Sequence, residues 1–470
     1  MVQSFFSLVT RHWISMVGAV IAAVAFLMLI LFVAMEISGF VGGPYLGILT
    51  YLILPMGILA GLVLIPIGTM LRRRAEARAV AQHGTPPKLP VVDLNDPRTR
   101  GMVMSSIVVG LVAFVVIGAA TWKGVHVMES VAFCGTTCHT VMEPEHVAFQ
   151  RSPHSKLRCA DCHIGEGADW FVKSKLSGSW QLISVAFNLY PKPVPSPVHN
   201  LRPARETCEQ CHWPTKHVGD RLTVKTKFAD DEKNSMTKTV MLMKVGGQQG
   251  STSTGIHWHV DRGVKIRYLT DPSRQKIYDV EMTTADGKNL TFKTEAKPEG
   301  ATEWREMDCV DCHNRPAHTF KTPSAEVDAA MADGRIDKTL PFIKREGMRV
   351  LTEGKYASKE EAQAGIAKAV EAFYKEKYAE VASSKAVQVA AAGKALGQIY
   401  SWNVFPKMNV TWGTYAINLG HDENFPGCFR CHDNKHVAAS GEKIGKKCKT
   451  CHSVLAEDEA EPEILKALNP

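Results

Sequence analysis

Five times in this chain of 470 residues a cysteine, two intervening residues and a second cysteine are followed at once by histidine. The units are Cys159/Cys162/His163, Cys208/Cys211/His212, Cys309/Cys312/His313, Cys428/Cys431/His432 and Cys448/Cys451/His452. A sixth, Cys134/Cys138/His139 in "FCGTTCHTVMEPEH", has three intervening residues, and together the six units use all 12 cysteines. Two thiols at this spacing can add to the vinyl groups of a haem, and the adjacent histidine is then held beneath the iron as an axial ligand. Paired C-x-x-C units also make zinc sites, but zinc needs no histidine after every second cysteine. With 18 histidines in the chain, six such coincidences have a chance probability of roughly one in 10⁸ to 10⁹. The regularity speaks against disulfides for the same reason. The expectation is six covalently bound haem c groups, the first in a widened attachment loop.

An electron-transfer haem kept low-spin needs a second strong ligand on its other face. The histidines outside the motifs and beyond residue 121 are His126, His146, His154, His199, His217, His257, His259, His318, His421 and His436. The best candidates lie at patterned offsets. His217 and His318 follow their motif histidines by five residues, and His436 follows His432 by four. His154 and His421 precede Cys159 and Cys428. His257 and His259, in "GIHWHVD", would point to one side of a strand, so one can ligate while the other supports it; His257 is the expected ligand. The alternative for each is a surface histidine bonded to a propionate or the backbone, and it weighs most for His126 and His199.

Three apolar segments precede the first motif: Trp13 to Ile37, Tyr45 to Leu71 and Met102 to Thr121. Each can cross about 30 Å of hydrocarbon as a helix. The first is longer than the apolar part of a signal peptide and lacks a clear cleavage site, so it reads as a retained anchor. Pro55 and Pro66 in the second predict a kink or interruption. Arg72, Arg73, Arg74, Arg78, Lys88, Arg98 and Arg100 between the second and third segments put that loop in the cytoplasm by the positive-inside rule. Everything after Thr121 then lies outside, where covalent haem attachment takes place. The expected fold is a mainly α membrane anchor of three transmembrane helices, residues 1–121, followed by an exported multihaem cytochrome c domain with little regular structure. That region divides into a tetrahaem part, 122–320, and a part over 321–470 that holds a helical spacer and a dihaem domain. Alternating runs and an Asp-Gly pair predict a small β-hairpin insertion at about 218–307. The Ala/Glu/Lys-rich stretch from Ser358 to Gln398 predicts helix.

The formal charge of the polypeptide is +8. The propionates of six haems would bring the holoprotein to about +2 oxidised and about −4 reduced, so the basic pI is no sign of nucleic-acid binding. No nucleic-acid motif is present.

The order of features carries a family resemblance. A membrane helix leads into "CHTVMEPE"; "SPHSKLRCADCHIG", the Trp/Lys-rich "WFVKSKLSGSW" and "CVDCHNRPAH" follow. Over about residues 102–320 this resembles the NapC/NirT family of membrane-anchored quinol dehydrogenases, in particular its NrfH-like members, with the extra helices and haems of an inner-membrane multihaem branch. The resemblance implies oxidation of menaquinol or ubiquinol at the outer face of the bacterial inner membrane. Electrons would then pass to periplasmic cytochromes or a partner redox complex. It implies that Met142 stands where the NrfH-like members have a methionine that binds the first iron in place of the motif histidine, although theirs is closer to that histidine. Whether His139 or Met142 is the ligand stays open. It implies that Lys173 is the lysine beside the quinol, where a cation stabilises the oxyanion formed as a proton leaves; Lys175 is the local rival. The family's acidic residue beyond that lysine has no match between Ser177 and Tyr190, which leaves Glu143, Glu145, Asp169 or a propionate as proton acceptor.

Two other readings stay open. One is a multihaem reductase of a small nitrogen or sulfur compound, which needs an iron with an open position. The other is a haem-bearing anchor subunit of a larger redox complex, without its own quinol site.

Overall fold

The computed structural model of the chain describes residues 12–37, 53–83, 93–101, 103–105, 108, 123, 127–137, 139–165, 168–198, 201–212, 219–249, 252–421 and 425–468. The chain falls into two compact units, Met1–Ser130 with Ala160–Trp180, and Val131–Cys159 with Gln181–Pro470.

The first unit is built on helices α1 (Trp13–Ile37) and α2 (Leu54–His83). They run antiparallel along a seam of small residues. A Cβ on Gly18 would lie 2.6 Å from the Gly61 carbonyl, Gly57 faces Ala25, and Gly68 faces Ser15. The Ser15 hydroxyl donates to the Ile65 carbonyl at 2.9 Å. Close backbone approach through Gly, Ala and Ser is how helices associate where lipid removes the hydrophobic drive between them. Windows within both helices are long and apolar enough to cross a membrane, and only 17% of each is buried. Their outward faces, with Leu27 and Met70 about two-thirds exposed, are thus apolar surface that water would penalise. α2 continues through Pro66 without interruption, one of the two prolines at which a kink or interruption was expected; Pro55 lies in its first turn, where a missing N–H costs little. The third expected span, Met102 to Thr121, lies almost entirely outside the described residues.

The second unit has a helical layer and two main sheets. Helix α10 (Lys359–Lys377) buries Ala362, Ile366, Val370 and Tyr374, a four-residue stripe that lines one helix face. Ser358 caps it by accepting from the Glu361 amide, and the Glu361 carboxylate accepts from the Ala357 amide. After the short α11 (Ala379–Ser384), α12 (Ala386–Asn403) closes on that stripe with Val389, Ala392, Leu396 and Ile399. Gly393 and Gly397 let the backbones approach. α8 (Pro323–Ala332) and α9 (Ile343–Thr352) complete this core. A fully buried Ile or Val contributes about 1.5–3 kcal/mol, so this region stands on an apolar core of its own. The expectation of little regular structure fails here for that reason.

The β region exceeds a hairpin insertion. Strands β1 (Arg221–Phe228) and β2 (Met236–Met243) pair with β10 (His452–Glu459), and β8 (Glu303–Glu306), β5 (Lys265–Thr270), β6 (Ile277–Thr283), β7 (Asn289–Lys293) and β9 (Val437–Ala438) form a second antiparallel sheet. The turn from β6 to β7 carries Asp286-Gly287, with Gly287 at φ 82°. Strands from the chain's C-terminal part therefore complete both sheets. A short two-stranded ribbon pairs β3 (Gly247–Gln249) with β4 (Thr252–Thr254).

Candidate haem-attachment sites

Each motif sits on a helical turn, which sets two cysteines three apart on one side of the backbone. Cys159–His163 (α4), Cys309–Cys312 (α7) and Cys448–Cys451 (α13) are short α-helices, Gly427–Arg430 is a 3₁₀ turn, and α6 (Ala204–Cys208) ends on Cys208. The first motif lies on a π-helical turn, Phe133–Thr137. A π turn holds one more residue than an α turn, which is what the extra residue between Cys134 and Cys138 requires. Cys138 lies outside the described residues, as does the side chain of His139. Cys208, Cys211, Cys309, Cys312, Cys428, Cys431, Cys448 and Cys451 are free cysteines, in no disulfide. Among the described residues no three His, Cys, Asp or Glu side chains converge as a zinc site would need.

The cysteines expected to attach haem are not equally covered. Cys134, Cys159, Cys208, Cys309, Cys312, Cys428, Cys431 and Cys451 are partly buried, whereas Cys162, Cys211 and Cys448 are exposed. The even spacing of the motifs gives no reason for Cys162, Cys211 and Cys448 to differ from the rest, so their exposure departs from a uniform set of pockets. The cause is local. α4 is a single turn that buries Ala160, and Cys162, two residues or about 200° further round, faces the other way. α6 packs inward through Ala204, and Cys211 lies in the turn beyond its end. At the second, third and sixth motifs the polypeptide therefore covers one cysteine of each pair more than the other, which lies at the surface.

Three motif histidines face a histidine from elsewhere in the chain. His154 and His212 have ring centroids 6.0 Å apart, His259 and His432 5.9 Å, and His421 and His452 6.4 Å. One iron bound at about 2 Å by a nitrogen from each of two opposed imidazoles would set the centroids about 6 Å apart. Burial, and then the neighbouring His432, hold His259 below the ordinary imidazole range. The neutral ring that results is the form that binds metal. Its Nδ1 is bonded to the Ile256 carbonyl at 2.8 Å, which leaves Nε2 for a ligand. His432 is oriented in the same way, with Nδ1 3.0 Å from the Gly445 carbonyl. Burial, and then the neighbouring His212, lower His313.

Of His257 and His259, His259 is the one found beside a motif histidine, His432. The "IHWHV" segment is a 3₁₀ helix, Ile256–Val260, entered from Gly255 at φ 70°. A Cβ at Gly255 would lie 2.5 Å from the Lys244 carbonyl. In a three-residue turn, side chains two apart point in different directions, so the two histidines do not share a face as they would on a strand.

His436 is fully buried. Its Nδ1 lies 3.0 Å from Asp433 Oδ1, while Nε2 has no hydrogen-bond partner. A carboxylate on one ring nitrogen with the other left open in a dry setting is the arrangement of a metal-ligating histidine. His318 has Nδ1 3.0 Å from the Glu145 carbonyl oxygen and 3.2 Å from its carboxylate; burial holds it below the ordinary imidazole range. Neither belongs to the three pairs above, and His217 lies outside the described residues. His146, which the offsets did not single out, packs on the first motif: a Cβ on Gly135 would collide with its imidazole. The available signal was its place seven residues after His139, on the same face of α3 (His139–Gln150). Met142 is half-buried on that helix.

Residues 97–193 match the NapC/NirT cytochrome c family, N-terminal region. The chain is 40% identical over 451 residues to "Cytochrome c-type protein ImcH" of Geobacter sulfurreducens (strain ATCC 51573 / DSM 12127 / PCA), covering 94% of this chain and 88% of that protein. The chain belongs to the NapC/NirT cytochrome c family. No solved structure matches it. Membership in a cytochrome c family implies covalently bound haem c and membrane-associated electron transfer. The paired cysteines on helical turns, the histidine pairs about 6 Å apart and the open Nε2 of buried His436 fit that group.

In this NapC/NirT chain the motifs are bonded to one another. The Ala204 amide, beside the third motif, donates to Asp308 at 2.8 Å. Within the fourth, Asp311 is buried and accepts from the Tyr268 hydroxyl and from Arg305, both at 2.6 Å. Its carbonyl accepts from Arg430 of the fifth motif at 2.6 Å. His421 stacks on Phe429 of the fifth motif at 4.1 Å while facing His452 of the sixth. The third to sixth motifs thus form one connected series.

Lys173 lies exposed on α5 (Ala168–Ala186), with Nζ 4.4 Å over the Trp170 ring; the side chain of Lys175 lies outside the described set. Of the expected proton acceptors, Glu145 is clamped by both oxygens to Arg315 at 2.7 Å, and Glu143 lies 2.8 Å from Lys359. Both carboxylates are committed to cations.

Proposed function

We propose that this chain is a membrane-bound six-haem cytochrome that oxidises menaquinol or ubiquinol at the outer face of the inner membrane and delivers electrons to a periplasmic cytochrome or redox complex. The observation that carries the reading is the facing of His154 with His212, His259 with His432 and His421 with His452 at about the spacing of a shared iron. Haem c at such sites supplies one-electron oxidation and reduction. Haem held between these three histidine pairs would have no open position for a small-molecule substrate, which favours relay at those sites over reduction of a nitrogen or sulfur compound.

The protein's own contribution is ligand orientation and exclusion of water. The Ile256 and Gly445 carbonyls fix the tautomers of His259 and His432, and Asp433 fixes that of His436. His154, His259 and His421 are assigned as partners of His212, His432 and His452. His318, His436 and His217 remain the further candidates, with Met142 or His139 at the first site. All 12 motif cysteines, the exposed Cys162 and Cys211 included, are assigned to thioether bonds. Lys173 is placed beside the quinol oxygen, where Trp170 supports it at the lipid interface. The three-pass anchor over 1–121, the tetrahaem part over 122–320 and the spacer with dihaem part over 321–470 complete the reading, with the haem-bearing part in the periplasm.

Anaerobic titration of the detergent-extracted holoprotein with a menaquinol analogue tests it. Haem absorbance should shift to the reduced form, and ferric EPR should be dominated by low-spin signals. Full reduction by dithionite with none by quinol, or two or more high-spin haems per chain, would remove the proposal.

A further inference from the structure

The connected series of motifs ends at Cys448–Cys451, and the protein there is unusual in charge. Lys435, Lys443, Lys446, Lys447 and Lys449 are all exposed, as is Cys448 itself. Within this stretch the acidic residue is Glu442. Among the described residues, none of the five lysines forms an ion pair. Lys446 lies 4.0 Å over the Phe429 ring, so the cations reach from the sixth motif to the fifth. The base of the patch is fixed: the Lys244 ammonium and amide donate to the Lys449 and Cys451 carbonyls at 2.6 and 2.9 Å. Val454 and Leu455, just beyond His452, are 46% and 44% exposed. The acidic run Glu457–Glu459 sits at the other end of β10, with Glu457 about 16 Å along the strand from His452.

A run of lysines is most often a solvated face. This one is uncompensated, mounted on a braced turn, and placed at the motif that ends the series, with apolar side chains beside it. That is the composition of an electrostatically steered interface, a charged rim around a small apolar contact. We propose that the surface formed by Lys435, Lys443, Lys446, Lys447 and Lys449 around the sixth motif docks a small, acidic, one-electron redox protein. The proposal rests on the electron-transfer reading above. Each encounter moves one electron, lost by the chain and gained by the partner, and requires no proton or further reactant.

The test uses the detergent-solubilised full-length holoprotein and oxidised rubredoxin, a small acidic iron protein, as probe. Binding between the two oxidised proteins is measured by calorimetry, and electron transfer from the dithionite-reduced chain by stopped flow. Affinity and rate should both fall about tenfold or more between about 0.01 M and 0.15 M ionic strength, as the Debye length shrinks from about 30 to 8 Å. Lys446→Glu/Lys447→Glu/Lys449→Glu should lower both by a similar factor at low salt, and the corresponding triple arginine variant should retain them. A lysine-rich small cytochrome c should show the opposite order, binding the glutamate variant better than the wild type. Salt-independent binding, or equal binding by the glutamate variant, overturns the docking site. So does tight wild-type binding to phosphatidylglycerol vesicles that outcompetes rubredoxin, since the patch then faces lipid. Intact-mass analysis separates this failure from that of the underlying reading: a chain lacking haem at Cys448 and Cys451 overturns the electron-transfer reading, whereas a fully loaded chain that ignores rubredoxin overturns only the docking surface.

Discussion

The imidazoles of His259 and His432 stand nearly perpendicular, 76° between planes and 5.9 Å between centroids, with each Nδ1 anchored to a backbone carbonyl. One ring belongs to the 3₁₀ turn that follows β4, the other to the fifth motif. His259→Ala should therefore remove one ligand from one iron, so that one haem per chain changes from low-spin to high-spin in EPR and magnetic circular dichroism. His257→Ala should leave the count of low-spin haems unchanged. If the two variants exchange these outcomes, the strand-like arrangement was right.

Acid should attack the buried imidazoles. Burial is the main force that lowers His259, His313 and His318 below the ordinary imidazole range. For a group whose folded pKa is depressed, the unfolded chain binds more protons in between, so stability is present above the unfolded value and is lost as pH falls through the folded one. The low-spin spectrum should accordingly survive through about pH 6.5 and give way only in more acidic solution. A change to high-spin that begins near pH 7.5 would mean the imidazoles are not held neutral by burial. The check is a spectrophotometric titration at constant ionic strength.

What was legible in the sequence follows from which constraints are local. Covalent attachment fixes cysteine and histidine spacing within one turn, so every motif could be read directly, and the π turn accounts for the one irregular spacing. The Ala362, Ile366, Val370 and Tyr374 stripe, too, declares its helix within a few residues. How far each thiol is covered is another matter: the exposure of Cys162 and Cys211 depends on which side of a single turn packs against the rest of the protein. Distal ligands likewise depend on the tertiary fold. His154 and His421 lie near motifs in sequence, yet each faces the histidine of a later motif than the one it precedes. That His259 stands beside His432 depends on the 3₁₀ turn entered from Gly255 at positive φ, which no periodicity reveals. β9, with two residues, and β10, irregular at Val454 and Ala456, pair with strands far away in the chain. Neither carries the local alternation by which a strand is read.

Haem content follows from the motif count. Six thioether-linked haems should add about 3.7 kDa to the apo mass. Tryptic peptides carrying each motif, the Cys134 loop included, should each retain one haem after acid–acetone extraction, which removes haem that is not covalently held. Five haems, with the Cys134 peptide unmodified, would confine attachment to the two-residue spacing.

Removing a buried cation should show how far the helical layer depends on its polar ties to the sheet. Lys344 Nζ lies 2.7 Å from Asp328 Oδ1, with side chains 4% and 11% exposed. The same carboxylate oxygen accepts from the Phe228 amide on β1 at 3.1 Å. Lys344→Ala leaves that carboxylate buried without its cation, which costs about 3–5 kcal/mol. Lys344→Met with Asp328→Asn removes both charges and should cost markedly less. Denaturant unfolding of the holoprotein followed by far-UV circular dichroism distinguishes the two. Equal losses would mean that the ion pair acts only through shape.

Lys173 separates a quinol dehydrogenase from a passive conductor. It follows His163 by ten residues and is exposed on α5, with its ammonium over Trp170. An indole of this kind favours the membrane–water interface, and a lysine stem can hold its charge at the same depth. A quinol losing a proton there develops negative charge on oxygen, and a cation within reach lowers the barrier. Lys173→Ala should thus slow menaquinol-driven haem reduction about 5- to 150-fold, equivalent to about 1–3 kcal/mol of lost stabilisation. Reduction by dithionite should keep its wild-type rate, because Lys173 is assigned to no iron. Lys173→Arg should recover part of the loss, as it restores charge but not the shape of the ammonium. If the alanine variant accepts electrons from menaquinol as fast as the wild type, the lysine is only an interfacial anchor. If Lys175→Ala alone abolishes the quinol reaction, the helix is right and the catalytic cation lies two residues further on.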